Sequence, residues 1–206
     1  MSTDRPILFS APMVRALLAG TKTQTRRLVK MKPHHQIEQR DDGSNWPWMY
    51  DGERDADWWM SCPHGQPGDQ LWVRESWTTH ACFDSIPPRD LTTRSIHYCA
   101  DGEIMTGKYR PPMFMPRWAS RIQLEVTDVR VERLQDISEE DSRAEGIIEW
   151  SDPPRAPTKR YGLTVADVWE KSAKAAYARL WESINGDGSW NANPWVWAVS
   201  FKVIQR

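Results

Sequence analysis

The chain has 206 residues, 13 of them tryptophan, and a net charge of −1 at pH 7. This length suits a single domain over residues 1–206, and the large area that each tryptophan can bury offsets an apolar fraction of only 39%. The near-neutral charge excludes a protein that wraps DNA by charge alone, so we expect no stable binding of duplex DNA. Because no apolar run is long enough to span a bilayer, we also expect no membrane partner.

The cysteine pattern bears on metals and on the cellular compartment. Cys62, Cys82 and Cys99 each lie two residues from a histidine, but none of these pairs has the spacing of a zinc site. Three thiols cannot all pair internally, and the N-terminus has no apolar signal-peptide core. We therefore expect no metal, no cofactor and a reducing, cytoplasmic compartment.

The first predicted elements are a strand at residues 7–9 and a short helix. Ser10 is a typical helix N-cap, Pro12 an early helical residue and Gly20 a C-terminal stop. Residues 21–29 are predicted to pass from a loop into a strand, since they are rich in threonine and arginine.

Long insertions are predicted in the middle of the chain. Residues 31–67 have an irregular pattern and are predicted to form a loop insertion, which precedes a strand at 71–77. Residues 78–117 are again predicted to be mostly loop, interrupted by a strand at 95–100. The apolar residues of 122–131 alternate, and the phase of that alternation slips at residues 127 and 128, which predicts a β-bulge or a bend.

The last third contains two predicted helices and a strand. Ser138 begins a short helix that stops at Gly146, and residues 147–163 form a third insertion, proline-rich over 151–157. A longer helix is predicted from Thr164 to Asn185. In the final strand, at 195–204, alternate residues share one buried face: Trp195, Trp197, Val199, Phe201 and Val203. The sum indicates an α+β fold with a small β-barrel and flanking helices.

The densest polar cluster is the segment GTKTQTRR at residues 20–27. A desolvated Lys22 near a hydroxyl group can lose its proton near neutral pH and serve as a base. Glu145 lies at the C-terminal end of the short helix, where the helix dipole disfavours a carboxylate. Each feature has a plainer interpretation, as a solvated edge strand and as a tolerated surface residue.

Two further sets of side chains allow two interpretations each. Glu75 either takes part in a site or forms an ion pair with one of the many arginines. The tryptophans outside the predicted core either stack on a nucleic-acid base or anchor long loops to the domain. These tryptophans are Trp46, Trp48, Trp58, Trp59 and Trp77, whereas Trp169, Trp181, Trp195 and Trp197 have core spacing.

Five segments of the chain resemble the ASCH domain family, which belongs to a superfamily with PUA and EVE domains. They are PILFS at 6–10, GTKTQTRR at 20–27, PGDQLWVRE at 67–75, residues 137–146 with AEG at their end, and NPWVW at 193–197. The resemblance spans most of the chain and is to long members often encoded in bacteriophages and prophages. It implies a small PUA-like β-barrel with a cleft for RNA or a modified nucleoside.

One small bacterial member of that family is an amidohydrolase that removes the acetyl group of N4-acetylcytidine. The resemblance implies the same catalytic Lys, Thr and Glu at Lys22, Thr25 and Glu145. The residues expected to bind substrate are Thr23, Arg26, Arg27, Glu75 and Trp77. The alternatives are a non-catalytic reader of RNA or of a modified base, and a phage-encoded nuclease.

Amide hydrolysis requires a nucleophile, a proton shuttle and a group that holds the oxyanion. Thr25 would supply the nucleophile and Lys22 the base, with backbone amides near Gly20 as the oxyanion hole. Glu145 would protonate the leaving exocyclic amine or activate water. Residues 22 and 25 face opposite sides of a regular strand. The scheme therefore requires Lys22 to lie in the turn before the strand.

Overall fold

The computed structural model describes residues 4–51, 56–91, 95–102, 107–151, 159–164 and 169–205. The strands are β1 (Asp4–Leu8), β2 (Gln24–Leu28), β3 (His35–Gln39), β4 (Asn45–Asp51), β5 (Ala56–Trp59), β6 (Gln70–Arg74), β7 (Trp77–Thr78), β8 (His97–Tyr98), β9 (Gln123–Arg133), β10 (Ile148–Ser151), β11 (Lys159–Gly162) and β12 (Trp195–Gln205). The α-helices are α1 (Ala11–Ala19), α2 (Glu139–Ala144) and α3 (Ala173–Asn185).

The main sheet has five strands in the order β1-β6-β9-β12-β2. Its first pair, β1 with β6, is parallel, and the other pairs are antiparallel. In the pairing of β12 with β9, Ser200 lies opposite Asp128 and Phe201 opposite Val126. Thr127 is therefore the extra residue of a β-bulge, which confirms the bulge predicted from the phase slip.

Strand β12 is buried on both faces at its centre. Trp197, Val199 and Phe201 belong to the main core, as their alternation predicted, while Trp195 is only half-buried and packs at the edge of that core. Val196, on the opposite face, packs in a second core with residues of α3. A strand that is buried on both faces has a nearly continuous apolar sequence, as the segment WVWAV does.

The first two helices begin and end as their capping residues predicted. Helix α1 follows Ser10, whose side chain makes no capping hydrogen bond, and ends at Gly20, whose positive φ of 76° is the left-handed conformation that glycine adopts easily. Helix α2 follows Ser138, whose hydroxyl accepts a hydrogen bond from the Asp141 backbone N–H. Local capping therefore accounts for the end of α1 and the start of α2.

The predicted start of the third helix at Thr164 is wrong. Helix α3 begins at Ala173, after Ser172, whose hydroxyl accepts the Ala175 N–H. The reason is a backbone bridge in which Glu170 and Tyr161 exchange two hydrogen bonds of 3.0 Å. This bridge holds residue 170 in an extended conformation against β11. Residues 165–168 of the predicted helix lie outside the described residues.

The irregular loop predicted over 31–67 is also wrong, because this segment contains the antiparallel sheet β3-β4-β5. The turn between β3 and β4 is held by Asp42, whose carboxylate accepts hydrogen bonds from the N–H and hydroxyl of Ser44. Trp46 attaches the sheet to the domain, since its ring packs edge-on against Trp197 at 5.0 Å and its N–H binds the Met60 carbonyl. The anchoring role is thus the one observed for Trp46.

The other two insertions contain short strands. Between residues 78 and 117 the described chain forms 3-10 turns and the small pair β7-β8, close to the predicted mixture of loop and strand. Strands β10 and β11 form a pair within 147–163. Residues 152–158, which include most of the proline-rich stretch, lie outside the described residues.

The predicted α+β class is confirmed, since the described chain is rich in strands and has three α-helices. The pairing leaves β1 and β2 as the outer strands of the main sheet, so the closed PUA-like barrel stays a prediction. None of the helices that the structure describes is long and apolar enough to cross a membrane.

Candidate active site

The chain between α1 and β2 is held against the end of α2. The backbone N–H groups of Thr21 and Lys22 both donate to the Ala16 carbonyl, and the Thr23 N–H donates to the Ala144 carbonyl at 2.8 Å. Lys22 and Glu145 form an isolated antiparallel β-bridge. Lys22 therefore lies in the turn before β2, as the catalytic scheme required.

The side chains of Lys22 and Glu145 form a buried ion pair, with 0% and 2% of their surface exposed. Lys22 Nζ donates to Glu145 Oε2 at 2.6 Å and to the Glu145 carbonyl at 2.8 Å. Burial lowers the pKa of Lys22; Glu145 opposes this effect, while Arg27 and Arg26 add to it. The pair can thus give up its proton more readily than an exposed lysine.

Arg26 is a second cation for Glu145. Its guanidinium donates to Glu145 Oε1 at 3.3 Å, to Glu132 Oε1 at 2.6 and 2.9 Å, and to Asp141 Oδ2 at 3.1 Å. Burial alone would lower the pKa of Arg26, but the charges of Glu145 and Glu132 outweigh it and raise that pKa. Arg26 and Lys22 together explain how a carboxylate is tolerated at the end of α2.

A cavity of about 300 Å³ lies between β2 and α3. Its polar lining residues include Thr25, Arg26, Arg27, Lys30, His64 and Glu145. Its apolar wall includes Met13, Leu180, Trp181 and Ile184. The hydroxyl of the buried Thr25 makes no hydrogen bond within the described part of the chain, so it is free to engage a ligand.

Two cavity residues were not expected from the sequence. Tyr177 of α3 is buried near Glu145; burial and then the carboxylate charge raise its pKa well above 10, so its hydroxyl stays protonated. His64 has a pKa lowered to about 4 by burial and by the charges of Arg27 and Arg5, so it is neutral at pH 7. Tyr177 carries only a weak signal, its i,i+4 spacing to Trp181, and His64 was weighed only as a metal ligand.

The structure brings four of the eight predicted site residues to the cavity lining: Thr25, Arg26, Arg27 and Glu145. Lys22 does not line the cavity; its ammonium group binds the carboxylate of Glu145, which does. Thr23 is exposed beside this group, with its backbone bound to the end of α2.

Glu75 and Trp77 lie away from the cavity. Glu75 forms a bidentate ion pair with Arg121, with distances of 2.9 and 3.0 Å, which is the plainer of its two interpretations. Trp77 is buried in a third apolar cluster that includes Met115. The reason is the sheet order, because β9 and β12 separate β6 from β2.

The oxyanion hole expected from the amides near Gly20 is not available. The Gly20 N–H donates to the Leu17 carbonyl, and the next two N–H groups donate to the Ala16 carbonyl. All three donors are used in ending α1, so a hydrogen bond to an oxyanion has to come from another group.

Among the described residues, no group of three or more His, Cys, Asp or Glu side chains is arranged to hold a metal ion. Cys62, Cys82 and Cys99 form no disulfide within the described part of the chain, and burial raises the pKa of Cys62 to about 11. Comparison of the chain with protein-family models, with curated protein sequences and with solved structures finds no match.

Proposed function

We propose that this protein is an amidohydrolase that removes the acyl group from N4-acetylcytidine or a related N4-acylated nucleoside. The observation that carries the proposal is the Thr25 hydroxyl without a hydrogen bond in the described part of the chain, in the lining of the same cavity as Glu145, whose carboxylate binds the buried Lys22. A threonine hydroxyl becomes a nucleophile when an adjacent base accepts its proton, and a desolvated lysine–carboxylate pair can be that base.

In the proposed reaction the Thr25 oxygen attacks the acyl carbon, and its proton passes to the Lys22–Glu145 pair. Glu145 is the cavity-facing member of this pair. As the C–N bond breaks, the pair delivers that proton to the leaving N4 nitrogen, which releases cytidine. Water then attacks the acyl-Thr25 ester; its proton passes through the pair to the Thr25 oxygen, and the carboxylic acid leaves.

Tyr177 is the proposed donor to the oxyanion that forms during both attacks. Its hydroxyl stays protonated because its pKa is raised, and it hydrogen-bonds to Glu145 in the cavity lining, so it has to turn from Glu145 to the oxyanion as negative charge develops. A hydroxyl held in a water-poor site stabilises developing negative charge more than it would in bulk water. This assignment replaces the backbone amides near Gly20.

The substrate class rests on the resemblance of the chain to ASCH domains, and the PUA-like barrel belongs to the same proposal. The confirmed α+β class is compatible with that fold. The cavity volume of about 300 Å³ is at the small end of ligand pockets, and its apolar wall offers Trp181 and Leu180 to a base ring.

The test is incubation of the purified protein with a panel of N4-acylated cytidines, with products identified by mass. We expect N4-acetylcytidine to yield cytidine and acetate, and Thr25→Val to reduce kcat at least about a hundredfold. Thr127→Val is the matched control, because Thr127 is exposed at the β-bulge and outside the cavity lining; it should retain the wild-type rate.

Two outcomes overturn this proposal in favour of its alternatives. Binding of the panel compounds without turnover identifies a reader of modified bases. Cleavage of RNA strands that depends on the cavity residues identifies a nuclease.

A further inference from the structure

We infer that the ligand of this cavity carries a phosphate group beside the nucleoside, and that Arg27 and Lys30 bind that phosphate. The inference rests on the proposed function for the placement of the acylated base next to Thr25. It deepens that proposal, because it assigns the substrate to nucleotides rather than to free nucleosides.

The cavity lining has an excess of positive charge. Arg26, Arg27 and Lys30 line it, whereas Glu145 is the carboxylate among its lining residues. Glu145 is already paired with Lys22 and Arg26. The uncompensated charge therefore belongs to Arg27 and Lys30, in a protein whose net charge is −1.

Arg27 is positioned but not neutralised. One guanidinium nitrogen donates to the Leu8 carbonyl at 2.7 Å, and the group lies over the Phe9 ring at 5.3 Å. No carboxylate of the described residues forms an ion pair with it. A guanidinium with fixed orientation and unused N–H groups is suited to bidentate binding of phosphate oxygens.

Lys30 extends the same positive region toward solvent. It is exposed, lines the cavity and has no ion-pair partner in the described part of the chain. Lysine binds phosphate as a mobile point charge, so Lys30 complements the fixed geometry of Arg27.

The order of these residues along the chain matches the order of groups in a nucleotide. Thr25 and Arg27 lie on the same face of β2, about 7 Å apart at the usual rise of a strand, and Lys30 follows beyond the end of β2. In a nucleotide, the sugar separates the phosphate from the base and its exocyclic nitrogen. A base placed with its acyl group at Thr25 therefore directs its phosphate toward Arg27 and Lys30.

The test compares kcat/KM for N4-acetylcytidine, for its 5′- and 3′-monophosphates, and for a short RNA with one N4-acetylcytidine. We expect at least a tenfold preference for a phosphorylated form, decreasing as salt is raised. Arg27→Gln and Lys30→Gln should each reduce this ratio. Lys32→Gln, the same change at an exposed lysine outside the cavity lining, should preserve it.

The substrate arms separate the two sources of phosphate. Equal rates on a monophosphate and on RNA indicate recognition of the phosphate alone, whereas a preference confined to RNA indicates a phosphodiester within a strand. Equal kcat/KM for the nucleoside and for every phosphorylated form overturns the inference.

A binding measurement distinguishes failure of this inference from failure of the proposed hydrolysis. Calorimetry with Thr25→Val protein compares cytidine monophosphate with cytidine and needs no turnover. Tighter binding of the monophosphate that is lost in the additional Arg27→Gln variant supports the phosphate site, even if no acylated compound is hydrolysed. Equal binding, or no binding of the monophosphate, overturns it.

Discussion

At the scale of single residues, the buried pair of Lys22 and Glu145 makes the strongest prediction about stability. Replacement of Lys22 by Met removes one of two cations that hold a buried carboxylate, so the free energy of unfolding should fall by about 3–5 kcal/mol. Lys202→Met, which removes a largely exposed pair with Glu125, should cost less than about 1 kcal/mol. Urea unfolding measures the free energy of unfolding of both variants. Similar losses of stability in the two would contradict the importance of Lys22 for holding the buried Glu145 carboxylate.

His64 should make stability depend on pH. Its pKa of about 4 in the folded protein lies below the ordinary 6.5, so the unfolded chain binds the additional proton first and stability falls as pH drops through that window. Between pH 7 and pH 5 we expect this group to remove about 2 kcal/mol. His64→Asn should lose correspondingly less stability over the same range. An equal loss of unfolding free energy between pH 7 and pH 5 in the two proteins would contradict the lowered pKa of His64.

The lowered pKa of Lys22 also predicts the pH dependence of catalysis. The pair acts as a base only after losing its proton, so kcat/KM should rise with pH, and the rise should be complete below the ordinary lysine value of 10.5. Glu145→Gln should remove this rise and reduce kcat at least about a hundredfold. Glu140→Gln, at an exposed position of the same helix, should keep the wild-type profile.

At the scale of elements, Gly146 determines how closely α2 approaches α1. Its φ is +99°, and an added Cβ would lie 3.1 Å from the Ala16 Cβ and 3.4 Å from the Lys22 Cβ. Gly146→Ala should therefore destabilise the protein through backbone strain and through displacement of the Lys22 segment. Gly68→Ala is the control: its φ is +91°, but no atom lies within 4 Å of the added Cβ, so this variant has the backbone strain without the steric contact. Thermal unfolding should show a larger loss for Gly146→Ala, with lower activity.

Trp197 joins β12 to the separate sheet β3-β4-β5. It is 1% exposed in the main core and packs against Trp46 of β4. Trp197→Ala should cost about 3–5 kcal/mol, because the cavity it leaves is bounded by elements that cannot close around it freely. Trp118→Ala, at an exposed tryptophan, should cost much less in the same denaturation experiment.

At the scale of the whole molecule, charge limits the kind of nucleic acid that can bind. With a net charge of −1, affinity for duplex DNA should be weak at physiological salt and should fall steeply as salt is raised. Fluorescence anisotropy with a labelled duplex measures this directly. Tight binding at physiological salt would contradict a site confined to one small cavity.

The features that depend on neighbouring residues could be predicted from the amino-acid sequence. Gly20 and Ser138 set helix ends through capping, which acts within one helical turn, and the phase slip at Thr127 marked the bulge. The motif resemblance singled out Lys22, Thr25 and Glu145, although Lys22 and Glu145 are separated by 123 residues.

Which of the predicted site residues meet, and which lie apart, depends on the folded arrangement of distant segments. Glu75 stands in a segment that resembles the family, yet β9 and β12 separate it from the cavity. Because Glu170 forms a backbone bridge with Tyr161, α3 begins later in the chain than its apolar pattern predicted. The fold also places Tyr177 beside Glu145. Caps and turns can be predicted because they depend on local backbone preferences. Ion pairs, sheet order and burial depend instead on contacts between distant segments, which no local pattern specifies.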